Sequence, residues 1–219
     1  MLVGLGTGRA ASRGISALAL RVNTERIKVT CVATSRATEH LATQLGLRLV
    51  DPSSVSSVDY LFDGADEVDP GRRMVKGGGG AMTRERIVAQ MCSGRRVYMI
   101  DASKLSPRLG VRAKLPIEVL PLARQLAATR LEDLGLEGGY RVTPIAGGGG
   151  GGQEFVSDNG ALVMDVVLPE QLATGAELAR LAEAIRRVPG VIDHGLFLDE
   201  CDVLLIEHTS AAGVRIEQR

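Results

Sequence analysis

As far as Ile100, short β-rich apolar runs alternate with segments of helical period, and this alternation restricts the fold more than any single motif. Leu2-Val3-Gly4 reads as the stub of a strand, and Ala10 to Val22 as a helix with Ile15, Leu18, Ala19 and Val22 on one face. Ile27 to Ala33 is β-rich, and Ser35 to Leu45 is helical and closed by Gly46. Val58 to Phe62 is a further strand, Thr83 to Cys92 a helix with Ile87, Val88 and Met91 inward, and Val97 to Ile100 another strand. Strands separated by helices predict a parallel sheet with right-handed crossovers.

Beyond Leu115 the pattern changes. Ile117 to Val119 reads as a strand and Leu122 to Leu134 as a helix. Glu154 to Val156 and Ala161 to Leu168 flank Ser157-Asp158-Asn159-Gly160, whose Asn-Gly predicts a hairpin. Glu177 to Val188 is helical, ended by Pro189-Gly190, and Val191 to Leu198 is a last strand. The order β-α-β-β-α-β is that of a ferredoxin-like module. Val203 to Ile206 then returns to the first sheet, making the smaller domain an insertion in the larger one. The glycines Gly147 to Gly152 have maximal backbone entropy and nothing to bury, which predicts a mobile loop.

Composition narrows the function. Lys plus Arg and Asp plus Glu both number 26, so no basic field is available for nucleic acid and no polybasic stripe for a membrane surface. Cys31, Cys92 and Cys201 are far apart and odd in number, which suits small core residues in a reducing, cytoplasmic setting rather than a disulfide framework. No apolar run approaches the roughly 18 residues of a membrane span. The stretch to Leu20 carries Arg9 and Arg13 without an acid, as transit peptides do, but a strand-turn-helix accounts for the same residues.

In open parallel sheets ligands bind beyond the carboxyl ends of the strands. Gly4 to Arg9, Thr34 to Thr38, Asp63 to Asp69 and Asp101 to Lys104 all fall there, and Lys76 to Gly80 precedes the helix carrying Glu85. In Gly4-Leu5-Gly6-Thr7-Gly8-Arg9 the glycines permit close approach of a phosphate to the free N–H groups of a helix start. Asp63 and Asp66 suit hydrogen bonding to sugar hydroxyls, whereas Glu67 and Asp69 are expected in a solvated acidic turn. The acidic spacing does not match a calcium loop, and His40, His194 and His208 form no ligand pattern, so no metal is expected. Lys76-Gly77-Gly78-Gly79-Gly80 can turn several N–H groups and one ammonium toward an anion. Glu85, near the following helix start, has the opposing influences of burial and dipole that a base working near neutrality requires. Lys104 can steady a substrate oxygen or phosphate, and Asp101 suits capping its turn.

These strings resemble the ribose-5-phosphate isomerase type A family. The matches are GLGTG at Gly4 to Gly8, DGADEVD at Asp63 to Asp69, KGGGGAMTRE at Lys76 to Glu85, DASK at Asp101 to Lys104, LPIEVLP at Leu115 to Pro121, SDNG at Ser157 to Gly160 and PGVIDHGLF at Pro189 to Phe197. The resemblance implies interconversion of D-ribose 5-phosphate and D-ribulose 5-phosphate in the non-oxidative pentose phosphate pathway, without metal or organic cofactor. It implies an α/β fold, with a Rossmann-like catalytic domain over residues 1–115 plus 200–219 and a ferredoxin-like α+β domain over residues 116–199. Catalysis falls to Glu85 as proton acceptor, with Asp63 and Lys76. Substrate binding falls to Gly6, Thr7, Gly8, Arg9, Ala10, Asp63, Gly64, Ala65, Asp66, Lys76, Gly77, Gly78, Gly79 and Lys104. A homodimer or homotetramer is expected.

The chain departs from the family at two places. Arg9 and Ala10 stand where members carry Ser-Thr, and members usually have a helix before the first strand, often with a phosphate-contacting lysine. The expectation is a weaker KM for ribose 5-phosphate than members with those features. Two other readings remain: an aminosugar-phosphate isomerase or deaminase, which needs a larger pocket and usually a catalytic histidine, and a non-catalytic sugar-phosphate sensor, which commonly carries a helix-turn-helix domain.

Overall fold

The computed structural model describes residues 1–144, 152–172, 174–210 and 213–219. The chain runs β1 (Leu2–Leu5), α1 (Arg9–Glu25), β2 (Thr30–Ala33), α2 (Arg36–Gln44), β3 (Val58–Asp63), β4 (Glu67–Val68), β5 (Met74–Val75), α3 (Met82–Met91) and β6 (Cys92–Asp101). It continues through β7 (Leu115–Val119), α4 (Arg124–Asp133), β8 (Gly138–Tyr140), β9 (Val142–Pro144), β10 (Gly152–Glu154), β11 (Leu162–Val166), α5 (Gly175–Arg186), β12 (Val191–His194) and β13 (Leu196–Phe197). It closes with β14 (Val203–Ser210) and β15 (Gly213–Gln218).

The main sheet has the order β15-β14-β6-β3-β1-β2. All its neighbours are parallel except the edge pair β14 and β15. The chain leaves β1 toward β2 on one side and resumes with β3 on the other. β1 and β3 therefore flank the switch point, where such a sheet gathers its ligand loops. Ile15 and Ala19 of α1 join Val3, Leu5, Cys31 and Ala42 in one apolar cluster. Each large apolar side chain buried in this way contributes about 1.5–3 kcal/mol.

A second sheet, antiparallel throughout, has the order β12-β7-β11-β8. Ala127 and Leu131 of α4 and Leu178, Leu181 and Ile185 of α5 pack against Leu115, Ile117, Val119, Met164 and Val166. A small third sheet joins β13, β5 and β4.

Several expectations are corrected. The second strand of the antiparallel sheet is β8, which Gly138-Gly139-Tyr140 disguises because it has no β-branched residue and no alternation. The expected strand Glu154 to Val156 is absent from that sheet: β10 pairs with β9, and Val156 makes a lone bridge to Leu162. The turn between them does form, with Ser157 N donating to Ala161 O at 2.8 Å. The strand expected over Val191 to Leu198 is broken at Gly195. There the N–H donates to Pro116 O at 2.8 Å and the carbonyl accepts from Lys76 N at 2.9 Å. A Cβ at Gly195 would lie 2.1 Å from Lys76 O, so only glycine allows this approach.

On α3, Ile87 is 51% exposed and Met91 half-buried, while Met82, Glu85, Val88 and Ala89 face inward. The inward stripe contains a carboxylate, and hydrophobicity alone turns the helix away from it. Gly147 to Gly151 lie outside the described residues, and Gly152 opens β10. Among the described residues no helix is long and apolar enough to cross a membrane.

Candidate active site

A cleft of about 970 Å³ opens at the carboxyl ends of β1, β3 and β6. Thr7, Gly8, Arg9, Ala10, Gly64, Ala65, Asp66, Lys76, Gly77, Gly78, Gly79, Glu85 and Lys104 all line it. Of the substrate-binding residues expected from sequence, Gly6 and Asp63 are the two set behind the wall. A Cβ at Gly6 would sit 2.1 Å from Asp63 Oδ1, so glycine here lets the β1 and β3 loops touch.

Asp63 ends β3 and is fully buried. Its Oδ1 accepts from Thr7 N at 3.0 Å and Gly64 N at 2.7 Å, and its Oδ2 lies 2.9 Å from Lys76 Nζ. The sequence places Asp63 against the sugar; the structure places it beneath, with Lys76 between it and the cleft. Lys76 also donates to Gly64 O at 2.5 Å and lies 3.3 Å from Glu85 Oε1. The rings of Tyr98 and Phe197 flank its ammonium, with centroids 5.5 and 5.6 Å away. Glu85 is 4% exposed, in the first turn of α3, and its Oε2 has no hydrogen-bond partner among the described residues.

The electrostatics follow from burial. Loss of water pushes the Glu85 carboxyl up to about 8, against the pull of Lys76 and with the push of Asp63 and Asp66. Burial also raises Asp63, opposed by Lys76 and by the Gly64 and Thr7 amides. The two carboxyls compete for one ammonium. Asp63 Oδ1 accepts two N–H bonds and its Oδ2 faces only the ammonium, while Glu85 accepts no backbone N–H among the described residues, so the amides favour placing a shared proton on Glu85. Burial lowers Lys76, but Asp63 and Glu85 outweigh it and the net shift is upward, so the ammonium keeps its charge.

The glycine loop is more selective than its sequence implies. Gly78 N donates to Asp66 Oδ2 at 2.7 Å and Gly80 N to Gly77 O at 2.8 Å. The N–H groups of Gly77 and Gly79 have no protein partner among the described residues, and both residues line the cleft. Gly77 and Gly80 have φ of 98° and 79°, a region that excludes most side chains. On the opposite wall, Gly8 adopts φ 99° and α1 begins at Arg9 with no side-chain cap and no acid in its first turn. Its free N–H groups, Arg9 and Lys104 bring positive charge to this end of the cleft, which Asp101 and Glu207 also line.

The loop Thr34 to Thr38 supports the site rather than lining it. Thr7 Oγ1 lies 2.9 Å from Thr34 Oγ1, donates to Ser35 Oγ at 2.8 Å and lies 3.2 Å from Thr38 Oγ1. Asp101 accepts from Ser103 N at 2.8 Å, the turn cap expected of it. Glu67 and Asp69 overturn the solvated-turn reading, because both are buried. Glu67 accepts from Gly110, Val111 and Arg112 N at 2.7 to 3.0 Å, and Asp69 pairs with Arg73.

Sequence reasoning missed the supports of the glycine loop and of α3. Buried Glu118 accepts from Thr83 Oγ1, Ser157 Oγ and Asn159 Nδ2. Arg84 donates to Asn159 Oδ1 at 2.8 Å, so the Ser157 to Gly160 turn braces the helix that carries Glu85. Arg141 reaches the carbonyls of Gly77 and Gly78. The Asn-Gly turn was a partial signal for the first; nothing local marked the second. Among the described residues no cluster of His, Cys, Asp or Glu is disposed to hold a metal ion.

Fold and site together define an open α/β protein whose cleft joins a glycine-rich rim carrying Arg9 and Lys104 to a buried carboxylate–ammonium centre. Residues 30–211 match the family model of ribose 5-phosphate isomerase A (phosphoriboisomerase A), and the chain belongs to that family. It is 42% identical to a ribose-5-phosphate isomerase A of Thermomicrobium roseum, over 100% of this chain and 87% of the relative. Identity to that of Sphingopyxis alaskensis is 41%, over 98% and 88%. The solved ribose 5-phosphate isomerase A of Methanocaldococcus jannaschii superposes with TM-score 0.86 at 31% identity, over 100% of this chain and 91% of that one. A D-ribose-5-phosphate isomerase solved in complex with phospho-erythronic acid superposes with TM-score 0.85 at 28% identity, with the same coverage.

Proposed function

We propose that this chain interconverts D-ribose 5-phosphate and D-ribulose 5-phosphate through a cis-enediolate, with Glu85 moving the proton. The observation that carries this reading is the Glu85 carboxyl itself: buried at the cleft, 3.3 Å from an ammonium, with one oxygen unpartnered and its pKa pushed up to about 8. A base so poised is ionised in useful amount near neutrality and holds the proton well enough to return it.

The phosphate sits at the α1 start with Arg9 and Lys104, which leaves the sugar end at Lys76 and Glu85. In ring opening the C1–O4 bond breaks, the anomeric hydroxyl gives up its proton to become the C1 aldehyde, and the ring oxygen takes up a proton. Lys76 borders the cleft and Asp63 backs it, so Asp63 acts through the ammonium, keeping it charged and aimed. Glu85 then removes the C2 proton, and negative charge grows on oxygen. Lys76 and the Gly77 and Gly79 N–H groups receive that charge, where each lost donor costs about 3 kcal/mol. The hydroxyl proton passes from O2 to O1, and Glu85 returns its proton to C1. One carboxyl serves as base and then acid.

A solved neighbour is in complex with phospho-erythronic acid. Phospho-erythronic acid carries a carboxylate resembling an enediolate at one end and a phosphate at the other, so it is a suitable probe of this cleft. The same reading takes residues 1–115 with 200–219 as a Rossmann-like domain and residues 116–199 as a ferredoxin-like insertion. Support comes from the order β12-β7-β11-β8, which places the module's fourth strand beside its first and its third beside its second. It takes the protein as a cytoplasmic homodimer or homotetramer of the non-oxidative pentose phosphate pathway, acting on a small sugar phosphate.

A coupled assay on the purified chain tests the function. Turnover of ribose 5-phosphate, with none of glucosamine 6-phosphate, is expected. A chain that binds phospho-erythronate but converts neither sugar would be a sensor, and the isomerase reading would be lost.

A further inference from the structure

Arg141 does not border the cleft, yet it grips the loop that shapes it. We propose that Arg141, oriented by Asp165, is a positioning residue that holds the Lys76 to Gly80 loop in its reactive geometry. The enediolate then gains more from Arg141 than the bound sugar does. The inference rests on the isomerase reading above.

The residue is well anchored. It follows β8, and its N–H donates to Val163 O at 2.7 Å while its carbonyl accepts from Phe155 N at 2.9 Å. The backbone is thereby fixed between the antiparallel sheet and the β9–β10 ribbon. The guanidinium takes Asp165 with both forks, Nε to Oδ2 at 2.8 Å and Nη2 to Oδ1 at 2.5 Å. Its remaining N–H groups go to the glycine loop: Nη1 to Gly78 O at 3.0 Å, and Nη1 and Nη2 to Gly77 O at 3.2 Å. Side-chain exposure is 16% for Arg141 and 24% for Asp165, so the pair is largely shielded from water. Phe155 stacks 5.3 Å from the guanidinium and rests on Gly80, where a Cβ would come within 2.4 Å of its ring. Two side chains of one module thus clamp the outer side of the loop.

Peptide planarity carries this grip into the cleft. In a trans peptide the C=O of one residue and the N–H of the next point in opposite directions. Drawing Gly77 O outward aims the Gly78 N–H inward, where it meets Asp66 at 2.7 Å. Drawing Gly78 O outward aims the Gly79 N–H the same way, and that N–H has no protein partner among the described residues. Glycines left to themselves sample many conformations. A donor displaced by a fraction of an ångström matters little to a neutral hydroxyl and much to an oxyanion.

The test uses Arg141→Lys and Asp165→Asn, with kcat and KM for ribose 5-phosphate, calorimetric affinity for phospho-erythronate, and melting temperature. Lysine keeps the charge but cannot fork across two carbonyls and a carboxylate. Arg141→Lys is expected to lower kcat about ten- to a hundred-fold with KM within about three-fold. Phospho-erythronate affinity should fall by about the same factor as kcat. Asp165→Asn should show a smaller loss of the same form. A folded Arg141→Lys with kcat within two-fold of the parent would overturn the proposal, as would equal weakening of substrate and phospho-erythronate. If Arg141→Lys does not fold, Asp165→Asn decides, and an unchanged kcat there is equally fatal. Parent turnover is read separately: an inactive parent sinks the isomerase reading, while the affinity comparison still judges Arg141.

Discussion

Glu85 and Glu67 are both buried glutamates, and they differ in what surrounds their oxygens. Glu67 accepts three backbone N–H bonds, at 2.7, 3.0 and 2.9 Å. Its charge is met on every side, and it ties β4 to the loop at Gly110 to Arg112. Glu85 has a shared ammonium at 3.3 Å and an oxygen with no partner among the described residues. Burial raises the Glu85 carboxyl, with Asp63 and Asp66 adding to it and only Lys76 opposing, whereas Glu67 is tied into structure by three amides. The contrast is between a buried carboxylate met by three amides and one that faces a shared ammonium at the cleft.

The largest effect should come from Glu85→Gln, which keeps the shape and removes the base. A loss in kcat of roughly 10³-fold or more is expected, with phospho-erythronate still bound. A variant retaining a tenth of the parent rate would break the contrast. In the parent, kcat/KM should rise with pH and level off above about 8, since the ionised form is the base. Stability should run the other way. The carboxyl titrates near 4.5 in the unfolded chain and near 8 when folded, so the folded state holds the proton more tightly. That proton-linked stability is full below about 4.5 and is lost as pH rises through about 8. Melting curves at pH 5 and pH 8.5 should show this slope in the parent and a smaller one in Glu85→Gln.

Lys76→Met comes next. It leaves Asp63 and Glu85 facing each other without their cation, and it removes a donor to the enediolate. A loss in kcat of about 10²- to 10³-fold is expected. Without the ammonium, the rising limb of the pH profile should move to higher pH. A limb that stayed in place would mean that Lys76 does not hold Glu85 down.

Much of this was legible in the sequence, for a physical reason. Glycine strings, clustered carboxylates and a lysine before a helix start are local features, so GLGTG, DGAD and KGGGG…RE mark the segments that meet at the cleft. Strand and helix periods likewise gave the parallel sheet and its order of elements. What stayed hidden depends on contacts between distant segments. Arg141 and Asp165 act on Gly77 and Gly78 from more than sixty residues away. Hydrophobicity alone turns Ile87 inward, because the true inward stripe of α3 contains Glu85, a residue that hydrophobicity places outside. Glu67 and Asp69 read as solvated from sequence because nothing local shows the Gly110 to Arg112 amides or Arg73 arriving to satisfy them. The position of Asp63 behind Lys76 is of the same kind, set by the approach of the β1 loop that Gly6 permits.

The smallest effect on turnover should come from Glu67→Gln, and it tests the contrast from the other side. The glutamine oxygen can serve one or two of the amides at Gly110, Val111 and Arg112, but its NH₂ group then faces a donor that the carboxylate had accepted. Losing charge-assisted bonds and leaving a buried donor unmet costs about 2 kcal/mol. For a chain of this length that lowers the melting temperature by roughly 4–8 °C. Asp66, the residue before it, lines the cleft, whereas Glu67 does not and is bonded instead to the Gly110 to Arg112 amides. The folded fraction should therefore keep kcat within about two-fold of the parent, because the change reaches no group at the cleft. Loss of turnover without loss of stability would show that a fully satisfied buried glutamate can still be catalytic, and the distinction drawn between Glu67 and Glu85 would fail.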